Sequence, residues 1–440
     1  MDGMDINKKE LDAQEYNPFE HRRVKKPNSD IRSLANLLKG SLGSGILAIP
    51  LAFANAGWGV GIVGTVIIAF ICGHCVHIFV NVSRMCCKAV RKPLLTYAET
   101  CEVAFAIGPK RLRPLSKAAG IFAEFSLILT YVGVCCISTV LIAGSVKQLL
   151  DRYVPGYILP VEYYCLILVV PLCLMVQIRY LKWLAPISLT ANILLVATFA
   201  ICVYYIFKDE ITISDKLIVG YPARFPAFLS TVIFAMEGIG IVMPVENDMK
   251  RPEHFLGCPG VMVVAMTLIM LLYCILGLFG YFRYGDALRG TITLNLPLDD
   301  WPAICAKAFI AVSVFCTYPL HFYVVVDVLS KYLRSYINKQ HMNMAQIIMR
   351  IAIVWLCGGI GIALPILEQI INIVGALFYS ILGLIIPGVV ETVCRWENLG
   401  KFNWILWKNI LLVLFGFCCL ISGLTVTISD IITNLDQETE

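Results

Sequence analysis

Charge is scarce in this sequence. Asp, Glu, Lys and Arg make up 15% of its 440 residues, against about a quarter in a soluble domain. With 59% hydrophobic residues, the chain is a polytopic membrane protein. Strict apolar–polar alternation is missing as well, which excludes the strands of a membrane barrel. Residues 1–30 are polar and charged, with no apolar leader, so no cleaved signal peptide is expected and the first span serves as the insertion signal. The 18 cysteines include a single CxxC, Cys72–Cys75 inside an apolar run, with no second pair or Cys/His cluster at the spacing of a zinc site. Most, such as Cys72, Cys135, Cys136 and Cys419, lie in apolar runs and act as small apolar residues. Only Cys165 and Cys305 come near the face expected outside, where a disulfide is chemically permitted. There is no nucleophile–base pair, phosphate loop or metal set, so no enzyme, cofactor or metal is expected. No selectivity filter or charged ring marks a channel. The net charge of +5 falls in loops and the tail, so no nucleic-acid role is expected.

What the sequence does have is long apolar runs. A bilayer takes about 20 apolar residues per helix, and eleven segments qualify: 31–56, 59–85, 116–149, 158–178, 183–207, 224–246, 256–283, 301–332, 346–363, 365–391 and 404–429. The expected fold class is therefore all-α, with a polar cytosolic tail over 1–30. Lys and Arg crowd one side, above all in the loop holding Arg84, Lys88, Arg91, Lys92, Lys110 and Arg111. The positive-inside rule then puts the N-terminus in the cytosol. An odd helix count puts the tail 430–440 outside the cell or in an organelle lumen.

Two spans are built badly for helices. The first holds Gly40-Ser41-Leu42-Gly43-Ser44-Gly45 at its middle. Each glycine costs about 1 kcal/mol relative to alanine, and an unwound turn is tolerated in a membrane only where protein or a wet cavity receives its backbone groups. The sixth holds Ala235-Met236-Glu237-Gly238-Ile239-Gly240. A carboxylate at that depth costs at least ~2.5 kcal/mol unless neutralised or paired. Small-residue helix packing and a kinked helix are the plainer readings of the two stretches. The positions argue otherwise, because the first and sixth spans open two five-helix halves, 31–207 and 224–391, with 404–429 as an eleventh helix. Matching interruptions in two halves point to a binding site in an inverted-repeat transporter. At such breaks, free N–H groups suit a carboxylate and free carbonyls suit an ammonium. A zwitterionic amino acid fits between them.

The same residues resemble the proton-coupled amino acid transporter family, a branch of the amino acid/auxin permease group. The resemblance lies in LLKGSLGSGILAIPLAFANAG (37–57), FAMEGIGIVMPVENDMK (234–250), FCTYPLHFYVVVDVL (315–329) and LPILEQIINIVGALFYSILGLIIPGVVE (364–391), in order. The tail segment YNPFEHR (16–22) looks like insect members. The resemblance implies a LeuT-like five-plus-five inverted repeat with broken first and sixth helices. It also implies transport of small neutral amino acids, with a proton as coupling ion in many members, at the plasma membrane or from lysosomes. The implied substrate-binding residues are Gly40, Ser41, Gly43, Ser44, Gly45, Ala235, Met236, Glu237 and Gly238, with Tyr131 from the third helix. Family members that couple to protons carry histidine where this chain has Asn36, which does not titrate. Coupling then passes through His74, Glu237 or Glu124, or is absent.

Several other residues carry narrower expectations. Glu124 is expected to pair with a base such as Lys39, Pro319 to kink the eighth helix, and Asn372 and Tyr379 to bond between helices. Tyr16-Asn17-Pro18-Phe19 fits a sorting signal, but such short patterns arise often by chance and an ordinary juxtamembrane tail is the favoured reading. An amino-acid sensor with little flux would keep the same pocket, so the sequence alone leaves that alternative open.

Overall fold

The computed structural model describes residues 16–22, 27–41, 43–153, 159–178, 181–236, 238–257, 259–338 and 340–439. Nearly all of the chain is helical. The first span is split into α1 (Asp30–Ser41) and α2 (Ser44–Ala56), which meet at a 54° bend. Then come α3 (Trp58–Val90), α4 (Tyr97–Ile107), α5 (Ser116–Tyr153), α6 (Val161–Met175) and α7 (Leu181–Phe207). The sixth span is split too, into α8 (Phe225–Met236) and α9 (Ile239–Asn247). Next follow α10 (Val261–Tyr284), α11 (Trp301–Tyr336), α12 (Met342–Ala363), α13 (Leu367–Ile373), α14 (Ile386–Cys394) and α15 (Trp404–Thr439).

Burial follows the sequence pattern. In α2 the run Ile46–Ala52 is buried on every side, as a helix apolar all round must be at the centre of a bundle. In α1 only Ser33, Leu37 and Ser41 are buried, a single stripe at helical spacing. Helix α15 buries Ile405, Leu412 and Cys419 but exposes Leu411 and Ile421, as a lipid-facing peripheral helix would. The long α5 and α11 pack along each other, and α2 packs on α8 and α10.

Three expectations need adjusting. Among the described residues, nine helical stretches and the α1–α2 pair are long and apolar enough to cross a membrane. The fourth expected span is α6, whose 15 residues reach only about 22 Å at 1.5 Å each, short of a ~30 Å core. The count of eleven is therefore not met by length. Second, the tenth span is not one α-helix. Between α13 and α14, Val374–Ile385 is a 12-residue π-helix, a form that accumulates at functional sites. Third, the basic loop folds as α4, opened by a Thr96–Glu99 capping box. Its Tyr97 hydroxyl donates to Leu382 O at 2.6 Å, tying the loop to the π-helix. Pro319 lies inside α11, which continues to Tyr336.

The tail expected to be solvated is partly docked. Arg22 is buried against Glu246 at the end of α9, and Pro18 is buried beside it. Residues 1–15 and 23–26 lie outside the described residues. Cys165 and Cys305 are free thiols rather than a disulfide. Asn372 does bond between helices, accepting from Thr231 Oγ1 at 2.8 Å.

Candidate functional site

A cavity of about 70 Å³ lies where the two breaks meet. Gly40, Ser41, Gly43 and Gly45 line it from the first break, and Ala235, Gly238, Gly240 and Ile241 from the second. Close backbone approach explains the glycines. A Cβ on Gly45 would lie 2.9 Å from Ala235 Cα, so the first turn of α2 rests on the end of α8. A Cβ on Gly240 would overlap the Tyr131 hydroxyl. Gly43, in contrast, faces open space, its nearest neighbour among the described residues being Gly40 O at 3.9 Å.

The ends of the half-helices supply the electrostatics. No side chain caps α2 at Gly43 or α9 at Gly238. Each helix start leaves N–H groups without intrahelical partners and a partial positive charge. The ends of α1 and α8 bring partial negative charge to the same place. Among the described residues, no Asp, Glu, Lys or Arg side chain lines this cavity.

The remaining wall comes from α5, α8, α11 and the π-helix. Tyr131 faces His321 across it, ring centroids 6.2 Å apart. Tyr379 lies against Phe234, with centroids 5.8 Å apart. His321 Nδ1 is closed off from bulk solvent and has no hydrogen-bond partner among the described residues. A second cavity of about 280 Å³ adjoins the first and shares Gly40, Gly43, Tyr131, Ile241 and His321 with it. Its wall adds Asn36, Lys39, Asn192, Ser313 and Thr317.

The structure thus gathers Gly40, Ser41, Gly43, Gly45, Tyr131, Ala235 and Gly238 around one cavity. Met236 is buried but does not line it. Glu237 and the side chain of Ser44 lie outside the described residues. His74 is elsewhere, in a groove of about 350 Å³ between α3 and α10 shared with His77, Phe70 and Met266. Phe70 there is 76% exposed, so the groove faces the lipid side. Glu124 bonds the Tyr332 hydroxyl and lies 3.5 Å from Lys331, not against Lys39 as expected, because α5 and α11 run side by side at that end. Sequence reasoning left Thr130, Phe234, Gly240, His321 and Tyr379 out of the site. His321 had a legible signal, an imidazole inside the apolar run 315–329. The others look like ordinary packing residues.

Comparison with known proteins agrees with this architecture. Residues 26–429 match the family described as Transmembrane amino acid transporter protein. The chain is 38% identical over 423 residues to the Drosophila melanogaster "Proton-coupled amino acid transporter-like protein pathetic", covering 96% of this chain and 89% of that protein. It is 27% identical over 320 residues to the Saccharomyces cerevisiae "Vacuolar amino acid transporter 3", covering 71% of this chain and 43% of that one. The solved "Inward facing conformation of Mhp1" superposes with a TM-score of 0.58 at 12% identity, over 94% of this chain and 92% of that one. That likeness shows the fold, which is the expected all-α, LeuT-type transporter architecture with broken first and sixth helices. By its match over nearly the whole length, the chain belongs to the family of transmembrane amino acid transporter proteins.

Proposed function

We propose that this chain carries small neutral amino acids, of the alanine, glycine and proline class, across the membrane by alternating access. One observation carries the reading: two helix starts without a side-chain cap among the described residues, and the ends of α1 and α8, converge on a small cavity with no charged side chain among its described lining residues. The start of α2 suits the substrate carboxylate, and the end of α8 suits its ammonium. At about 70 Å³ the space holds a few waters, each needing ~10–15 Å³ in the same measure. That space suits a small side chain.

The proposed substrate-binding set is Gly40, Ser41, Gly43, Gly45, Ala235, Gly238 and Tyr131, which line the cavity, with Ser44 and Glu237 from the same two breaks. The proton is the proposed coupling ion, in keeping with the printed name of the Drosophila relative. Of the three residues first considered for it, His74 and Glu124 lie away from the cavity. Among the described residues, the titratable side chains that do face the two cavities are Lys39, Tyr131, His321 and Tyr379. His321 is the one whose ordinary range lies near neutrality. The Lys/Arg-rich end is taken as cytosolic.

The test is radiolabelled uptake into proteoliposomes over a panel of amino acids at external pH 5.5 and 7.4. Saturable uptake of alanine, glycine or proline, with leucine and charged amino acids excluded, is expected. Acid stimulation of that uptake is expected in the wild type and not in His321→Gln. Uptake of none of the small amino acids would overturn the reading, and a flat pH response in the wild type would make the protein a facilitator.

A further inference from the structure

Tyr273 on α10 is fully buried. Its hydroxyl lies 2.6 Å from Ser41 O and 2.7 Å from Ala235 O. Ser41 is the last residue of α1, and Ala235 stands in the last turn of α8. Both carbonyls belong to the group that a helix end leaves without intrahelical partners. One side chain therefore reaches the loose ends of both broken spans. It does so from behind: Ser41 and Ala235 line the cavity, and Tyr273 does not.

Helix α10 is a firm base for this contact. A Cβ on its Gly277 would lie 2.5 Å from the Phe53 ring, and one on Gly280 would lie 2.8 Å from Pro50. Its small residues are therefore keyed into α2.

A phenol has one hydrogen to donate. Only one of the two carbonyls receives it at a given moment, and the other faces an oxygen lone pair. Rotation of the hydroxyl passes the bond from one to the other without breaking any covalent bond. We propose that Tyr273 is a positioning residue that ties the two breaks together and fixes the spacing between the carboxylate and ammonium ends of the substrate site. When α1 shifts during transport, the hydrogen bond moves to Ala235 O, so the tie to α8 persists while α1 is free. The proposal rests on the substrate site placed at these breaks above.

Tyr273→Phe removes the hydroxyl and keeps the ring. In reconstituted full-length protein, the KM for alanine is expected to rise at least tenfold, with Vmax per folded transporter within twofold of wild type. Tyr281 supplies the control: it sits on the same helix, is buried, and its hydroxyl accepts from Leu217 N far from the breaks. Tyr281→Phe should leave KM unchanged. A purely structural role for Tyr273 would lower the amount of folded protein and leave KM alone, which would overturn the proposal. An equal rise in KM in both variants would overturn it too. Should Tyr273→Phe not fold, hydrogen exchange on the wild type decides: alanine should slow exchange at 40–46 and 235–241 together, and protection of one break alone contradicts a tie. Absence of saturable alanine uptake in the wild type would instead remove the substrate reading on which the proposal rests.

Discussion

The two ends of the bundle are fastened in different ways. At the Lys/Arg-rich end, Glu246 at the close of α9 is 1% exposed and takes two arginines. Arg22 from the tail reaches it at 3.0 Å and Arg84 from α3 at 3.2 Å. Both guanidiniums lie 5.1 Å from the Phe19 ring, and Arg22 also donates to Pro93 O. A backbone bridge between Asn28 and Met249 binds the approach to α1 to the same place. At the opposite end, where α2 finishes, Asn55 donates to Glu368 at 3.3 Å and accepts from Arg224 at 3.4 Å. Those bonds are longer than the usual 2.7–3.2 Å range, and a neutral amide stands between the charges. The first end is a bolt of desolvated charge and the second a light catch. Under the alternating access proposed above both would open in turn, the catch at low cost, whereas the bolt would either break or travel with α9, α3 and the tail as one piece.

The largest effect should follow from spoiling the bolt. Glu246→Gln leaves two buried arginines short of a counter-charge. Removing one partner of a buried pair costs about 3–5 kcal/mol, so the melting temperature in detergent should fall sharply and little folded protein should reach the membrane. A melting temperature within a degree or two of wild type would show that the cluster is not desolvated in the working protein. Arg22→Ala should cost less, because Arg84 stays with Glu246, and the tail segment 16–22 should become sensitive to protease. The catch should matter less still for stability. Asn55→Ala removes two hydrogen bonds to charged groups, a class worth about 1.5–3 kcal/mol at normal length and less when stretched as here, and should make the Asn55 end more reactive to membrane-impermeant thiol reagents when a cysteine is placed at Gly43. If Asn55→Ala and Glu246→Gln destabilise the protein equally, the contrast between the two ends fails.

The smallest effect lies on the surface. The Lys208 ammonium, and after it the Tyr205 hydroxyl, hold the Asp300 carboxyl below the usual carboxylate range. A carboxylate depressed in the folded state contributes stability above its unfolded pKa and loses it as pH falls through the folded one. Asp300→Asn should therefore lower stability slightly at neutral pH, change almost nothing at the acid end, and so flatten the acid limb of the profile. Thermal melts from pH 7 to pH 3 would check this.

The contrast also shows what sequence reading reaches. The two breaks were legible because Gly and Ser in the middle of an apolar run contradict a helix locally. Glu237 drew notice for the same reason, as a carboxylate among apolar neighbours. Glu246 did not, because nine residues on it reads as an ordinary polar helix end. Its burial depends on Arg22, which lies 224 residues away in the chain. The π-helix was equally hidden, since an apolar run has the same composition whether its hydrogen bonds span four residues or five. That shift helps decide which side chains, Tyr379 and Leu382 among them, turn into the cavity.

The central claim is that substrate sits where the first turn of α2 meets the end of α8. Gly45→Leu tests it directly, because a side chain there meets Ala235 backbone at 2.9 Å from the Cβ alone. The measurement is saturable alanine uptake by purified, reconstituted Gly45→Leu beside wild type, normalised to monodisperse folded protein. Loss of at least 99% of uptake in a variant that remains folded is the expected result. Uptake within twofold of wild type would contradict the account and place the substrate elsewhere.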